Sequence, residues 1–256
     1  TPFYPKPQYL QQFQHLEEPE RIYAATLAHA DARIGELLAT LERLHVTENT
    51  LVIFSSDNGP ENTHPGQRRV DDAATGAGIG SFASVGSTGG HRGRKRSLLQ
   101  GGVGVPFIAK WPGQIAAGVV DDTTPITAVD LLPTFCALAG APLPAGYVPD
   151  GSDQTAALRG RASSERMPAI FWEWREAEAG DNWPLHAIRF GPWKLLLGRE
   201  PGQVELFRFP ADRLELHDVS AAQPEVVEEL TALIDDWVAG LPQITDTNCF
   251  SAKRAK

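Results

Sequence analysis

Asp57 and Asn58 are the residues of this chain whose types and setting most directly imply chemistry. They follow the apolar, β-rich run Leu51-Val52-Ile53-Phe54 and precede Gly59, which permits a sharp turn. A buried strand ending this way delivers side chains to the carboxyl edge of an open α/β sheet, where ligands bind. A carboxylate beside an amide oxygen suits a hard divalent cation such as Ca²⁺ or Mg²⁺. Asp-Asn-Gly-Pro is also a turn on local grounds alone, because each of these residues favours turns. Taken in isolation, the turn is the better reading. The second chemical feature is His91 to Arg96 (HRGRKR), a basic island that could meet an anion.

The elements that must position these groups can be read from periodicity. Pro2, Pro5 and Pro7 among aromatics predict an extended surface loop from Thr1 to Gln14. Glu17, Glu18 and Glu20 around Pro19 mark a helix N-terminus, and apolar positions from Ile22 to Leu44 recur at helical spacing, predicting a long amphipathic helix packed on a sheet. Helix, short loop and buried strand then make half of a βαβ unit. From Glu61 to His91 the periodicity disappears, as in a loop arching over a pocket between the acidic corner and the basic island. Gly101, Gly102 and Gly104 predict close backbone approach, and Phe107 to Lys110 a short strand closed by a Pro-Gly turn. GGVG precedes that strand instead of following one into a helix, so it is not a nucleotide-binding fingerprint. A helix within Ile126 to Ala139 ends at Gly140.

The C-terminal third has a different texture. Ala169 to Trp174, His186 to Phe190, Trp193 to Leu197 and Val204 to Phe209 are β-rich runs between Gly and Pro turns, and Gln223 to Leu241 is an amphipathic helix. This pattern predicts a small α+β subdomain over residues 161–245, following an α/β part over 1–160 and followed by a tail at 246–256.

Composition bounds the function classes. With 42% hydrophobic and 21% charged residues, the 256-residue chain can bury a sizeable core. Its net charge of -9 argues against general nucleic-acid binding, and no apolar run approaches the roughly 20 residues of a membrane span. Cys136 and Cys249 are too few for a disulfide framework and fit no metal-ligand spacing. The opening residues lack the charged and apolar regions of a signal peptide, and the start on a Pro-rich segment without Met reads as a piece of something longer or a processed product.

Four motifs can now be taken together: TLVIFSSDNGPE, GRKRSLLQGGVGVPFIAKWPG, AVDLLPTFCALAG and IRFGPWKLLL. In this order and at these separations, from about Thr1 to Leu241, the chain resembles the sulfatase family of the alkaline-phosphatase-like superfamily. It looks most similar to the arylsulfatase and N-acetylgalactosamine-6-sulfatase-like branch. The resemblance implies an α/β fold, part of a mixed-sheet α/β sandwich with a small C-terminal antiparallel sheet and helix. It implies that Asp57 and Asn58 are ligands of a divalent cation, Ca²⁺ in most of the family, and that Lys95 contacts the substrate sulfate as the lysine of a G-K-x-x-x-x-E-G-G segment. Here Gln100 replaces the Glu, Gly104 stands where Arg is frequent, and Arg96 stands where Gly is common. A lysine in an Arg-rich run is otherwise a solvated surface charge. The implied partner is a sulfated small molecule or glycan, with neither nucleic acid nor membrane, and the implied location of a full-length protein is periplasmic or secreted.

The family's formylglycine nucleophile is made in a C/S-x-P-x-R segment. Cys136 is followed by ALAG and Cys249 by FSAK, and no Ser fits. The family's N-terminal acidic ligand pair is also missing. The expectation is a C-terminal sulfatase portion that is inactive alone. The other readings are a non-catalytic metal- or glycan-binding remnant, and a phosphate or phosphonate ester hydrolase, since a cation and a lysine recognise any tetrahedral oxyanion. His64 and His91 flank the long loop, with solvation as their default role. Trp172, Trp174 and Trp183 are either a sugar-stacking wall or, preferably, packing residues. Arg189 and Lys194 either line a substrate rim or are surface charges.

Overall fold

The computed structural model describes residues 3–61, 70–72, 76–78, 85–161, 168–175 and 180–242. His64, Cys249 and the predicted tail lie outside them. The prolines of the opening segment do not keep it extended: α1 (Pro7–Leu10) runs into a 3₁₀ turn at Gln11–Phe13. Pro7 occupies the first turn, where a missing N–H removes no hydrogen bond and a fixed φ suits the helix. Phe3 and Leu10 cover Ile22 at the start of α2 (Glu20–Arg43). Only Ile22 and Ala25 of α2 are buried, and Leu27 and Leu37 are more than half exposed. The predicted packing of the whole apolar stripe on a sheet is therefore not realised among the described residues.

β1 (Val52–Ser55) is where the sequence places it, but the described residues do not bury it: Phe54 is 47% exposed. Among the described residues its one partner is antiparallel. The stretch predicted to lack structure contains β2 (Val70–Asp72) and β3 (Gly76–Gly78), themselves an antiparallel pair. After α3 (Gln100–Val103) comes β4 (Phe107–Lys110), which pairs with β1 in the register Val52↔Lys110 to Ser55↔Phe107. Among the described residues this ribbon has two unpaired edges, and its Ile108 is 59% exposed.

A 3₁₀ turn at Ala128–Asp130 leads into α4 (Leu131–Ala139). Thr127 and Asp130 form a capping box: the Thr127 hydroxyl accepts from Val129 N, and the buried Asp130 carboxylate accepts from Thr127 N at 2.8 Å. Gly140 ends the helix at φ 65, the left-handed conformation that glycine adopts without a Cβ penalty. A single turn, α5 (Thr155–Leu158), follows.

The C-terminal sheet matches its sequence signals closely. β5 (Ile170–Glu173), β6 (His186–Phe190), β7 (Trp193–Leu197) and β8 (Val204–Arg208) form one antiparallel sheet in chain order. Alternation along the strands divides its side chains into two cores. On one face Ile188, Leu195 and Leu206 pack against Leu230 and Ile234 of α6 (Pro224–Gly240). On the other, Ala187, Leu196 and Phe207 pack against Leu98 and Leu99, which belong to the segment carrying Lys95. Among the described residues no helix is long and apolar enough to cross a membrane.

Candidate functional site

β1 delivers Asp57 and Asn58 into an exposed turn. Asp57 Oδ1 accepts from Asn58 N at 2.9 Å, and Asn58 Nδ2 donates to Gly59 O at 2.9 Å, which leaves its amide oxygen pointing away from that bond. Gly59 is packed against the glycine-rich segment: its N–H donates to Gly102 O at 2.8 Å, and an added Cβ would lie 1.8 Å from Gly101 O. The close approach predicted from Gly101 and Gly102 is to the backbone of the basic island, Arg92 O and Gly93 O at the first and Arg94 O and Ser97 O at the second, while Gly59 brings the Asp57 turn against the Gly101 carbonyl. Lys95 is anchored to the same turn, its N–H donating to Pro60 O at 3.0 Å. The structure therefore brings the acidic corner and the basic island into direct contact.

Glu61, not singled out from sequence, is what the island meets. Its carboxylate pairs with Lys95 Nζ at 3.3 Å and takes both Arg96 terminal nitrogens, one of them at 3.1 Å, while its carbonyl accepts from Arg94. Glu61 is 8% exposed, whereas the Lys95 side chain is 38% exposed and can be reached from solvent. Arg96 adopts φ 73, a left-handed conformation that costs a non-glycine residue about 1–2 kcal/mol. This is a physical reason for glycine at that position, and the forked pair to Glu61 offsets the cost here.

Several other candidates have moved. His91 Nδ1 lies 2.8 Å from Thr88 O, a local turn contact rather than a solvated or pocket-facing group. Trp172, Trp174 and Trp183 pack on the Leu98 and Leu99 core, the packing role preferred from sequence. Neither Arg189 nor Lys194 lines a rim or lies free on the surface. Arg189 stacks over the Phe209 ring at 4.7 Å, and Lys194 is 1% exposed and paired with Glu215 Oε1 at 2.5 Å. Burial pushes the Lys194 ammonium below its ordinary range, and Glu215 partly restores it.

The donor chemistry of Asp57 and Asn58 fits a hard cation; the donor number does not complete one. Ca²⁺ takes roughly six to eight oxygens, and no cluster of three or more His, Cys, Asp or Glu side chains occurs among the described residues. The chain is expected to bind Ca²⁺ with a Kd on the order of 10⁻³ M or weaker, measured by isothermal titration. Tighter binding that survives Asp57→Ala would place the ion elsewhere.

Comparison with known proteins bears on this arrangement. The sulfatase family model matches residues 1–141, and the chain belongs to the sulfatase family. It is 29% identical over 217 residues to an N-acetylgalactosamine-6-O-sulfatase of Bacteroides thetaiotaomicron, covering 80% of this chain and 39% of that protein. It is 34% identical over 172 residues to human arylsulfatase A, covering 67% of this chain and 29% of that protein. The crystal structure of Ps i-CgsB in complex with k-i-k-neocarrahexaose superposes with a TM-score of 0.70 at 26% identity, covering 93% of this chain and 47% of that one. The chain thus spans less than half the length of these relatives.

Proposed function

We infer that this chain is the part of a sulfuric ester hydrolase that holds the sulfate group, acting on sulfated sugars. Asp57 and Asn58 would supply oxygen ligands to a divalent cation, Ca²⁺ or Mg²⁺, and Lys95 a second positive charge. The observation that carries the reading is the junction of the two motifs, with Gly59 N on Gly102 O at 2.8 Å and Lys95 N on Pro60 O at 3.0 Å. These contacts hold segments 57–61 and 92–102 together, so that Asp57, Asn58 and Lys95 belong to adjoining segments. A sulfated-sugar substrate class is supported by the relative named for N-acetylgalactosamine-6-O-sulfate and by the neighbour solved with k-i-k-neocarrahexaose.

A sulfate monoester needs its non-bridging charge neutralised, a nucleophile, and a proton for the departing alcohol. When bound, the cation supplies Lewis-acid polarisation of the sulfate oxygens. Lys95 contributes a donor fixed by the Pro60 contact of its backbone. The 256 residues contain no C/S-x-P-x-R segment, so on this reading the formylglycine nucleophile would lie outside them. The purified chain is expected to leave an aryl sulfate unhydrolysed while binding inorganic sulfate weakly, with Lys95→Ala abolishing the binding. Turnover by the chain would overturn its predicted inactivity; sulfate binding unaffected by Lys95→Ala would overturn the role of the lysine.

A further inference from the structure

The Lys95 segment is held from two sides. The Asp57 turn grips one, and the C-terminal sheet grips the other through a buried carboxylate. Glu215 is fully buried, with Oε1 accepting from Lys194 Nζ at 2.5 Å and Oε2 accepting from the Gln100 backbone N–H at 2.6 Å. The Glu215 carbonyl accepts from Arg92 at 2.9 Å, and Arg92 also bonds Glu205 of β8 at 2.9 Å. Residues 92 and 100 are therefore both tied to the C-terminal part, and Gly101 N on Arg92 O at 2.6 Å closes the loop between them. Leu98 and Leu99 fill the sheet core beneath it.

A buried ion pair is weak support for stability, because its desolvation cost rivals the attraction and apolar residues of similar volume replace such pairs without loss. What an apolar residue at 215 could not do is accept the Gln100 N–H. Glu215 also holds φ 57, a conformation unfavourable for a residue with a Cβ. The carboxylate is thus aimed from a strained backbone whose own N–H makes a long hydrogen bond, 3.4 Å to Asp212 O.

We propose that Glu215, with Lys194 as its buried counter-charge, is a positioning residue for Lys95: its hydrogen bond to Gln100 N–H fixes the loop that sets the ammonium beside the Asp57 turn. This rests on the sulfate-binding reading of Lys95. The carboxylate works through the backbone and touches no substrate.

The test uses the full chain and two double variants. In Lys194→Met with Glu215→Leu, the pair is apolar and the acceptor is gone. In Lys194→Met with Glu215→Gln, the charge is gone but an amide oxygen can still accept from Gln100. Amide exchange at Gln100, referenced to Ile188 and Leu195 in the sheet, is expected to be about tenfold faster in the leucine variant and close to wild type in the glutamine variant. Inorganic sulfate is expected to bind about fivefold more weakly to the leucine variant only. Equal behaviour of the two variants would show a merely structural pair and overturn the proposal.

Gln100→Pro gives a second route should the leucine variant not fold. It deletes the one N–H at the first position of α3, where proline is tolerated, and Leu99 already has the extended φ -66, ψ 160 that precedes proline. Unchanged sulfate affinity in Gln100→Pro would overturn the proposal. The underlying reading fails separately: sulfate affinity unmoved by Lys95→Ala in the wild-type background sinks the lysine role, whatever the exchange at Gln100 shows.

Discussion

Gly102→Ala is expected to unfold the junction between the two motifs and to lower stability by about 3 kcal/mol or more, at or beyond the upper end of ordinary overpacking. The added Cβ would sit 2.1 Å from Ser97 O and 2.5 Å from Arg94 O, both backbone atoms of the Lys95 loop. Neither can rotate away as a side chain would. The loop would have to expand, and that strains Gly102 O on Gly59 N, the bond joining the loop to the Asp57 turn. Two glycines elsewhere separate this clash from the other effects of losing a glycine. Gly146 has φ 76 with open space around its Cβ position, so Gly146→Ala carries backbone strain alone, about 1 kcal/mol. Gly35 lies exposed within α2 with nothing in reach, so Gly35→Ala is expected to stabilise by about 0.5–1 kcal/mol. Urea unfolding followed by circular dichroism measures all three. A Gly102→Ala loss no larger than that of Gly146→Ala would mean that the junction is loose.

Where the chain supplies its own packing partners, the sequence was a sufficient guide. β6 and β7 fall on His186 to Phe190 and Trp193 to Leu197 because alternate residues in each have a buried partner, α6 on one side and Leu98 and Leu99 on the other. Local signals likewise place the end of α4 at Gly140. The expectations that differ concern surfaces whose partners are not among the described residues. Phe54 ends a run read as a buried strand and is exposed, and Leu27 and Leu37 of α2, read as packed on a sheet, behave the same way. Hydrophobic periodicity reports which face seeks burial, not what covers it. The chain spans less than half of the relatives it matches, and its open faces lie on the ribbon and helices preceding the C-terminal sheet.

In the candidate site, Asp57, Asn58 and Lys95 could be named because each sits in a quoted motif. Glu61 sits in one of them too, but nothing in DNGPE says that its carboxylate turns back on the basic island. Opposite charge separated by a long Gly-rich segment was the available signal, and it pointed to a pocket rather than to a direct ion pair. Glu215 carried no signal in sequence. Its function depends on a contact with Gln100, 115 residues away, and a lone Glu in LELHD is by default a surface charge.

Lys95→Ala and Glu61→Gln are expected to change sulfate binding in opposite directions, although each removes one end of the same 3.3 Å pair. On the proposed role of Lys95, losing the ammonium removes the cation that would meet sulfate. In a polypeptide that also carries the nucleophile, Lys95→Ala should lower kcat by about 10²–10³, the scale of losing one donor aimed at developing charge. Losing the Glu61 carboxylate removes an internal anion that competes with sulfate for Lys95, so Glu61→Gln should tighten sulfate binding by about threefold to tenfold at low salt and less at high salt. Its stability should fall by about 1–3 kcal/mol, because Arg96 loses a forked partner while holding an unfavourable φ. Sulfate titrations at two ionic strengths, with urea unfolding of each variant, separate the two roles. If Glu61→Gln weakens sulfate binding as Lys95→Ala does, Glu61 orients the lysine instead of competing for it.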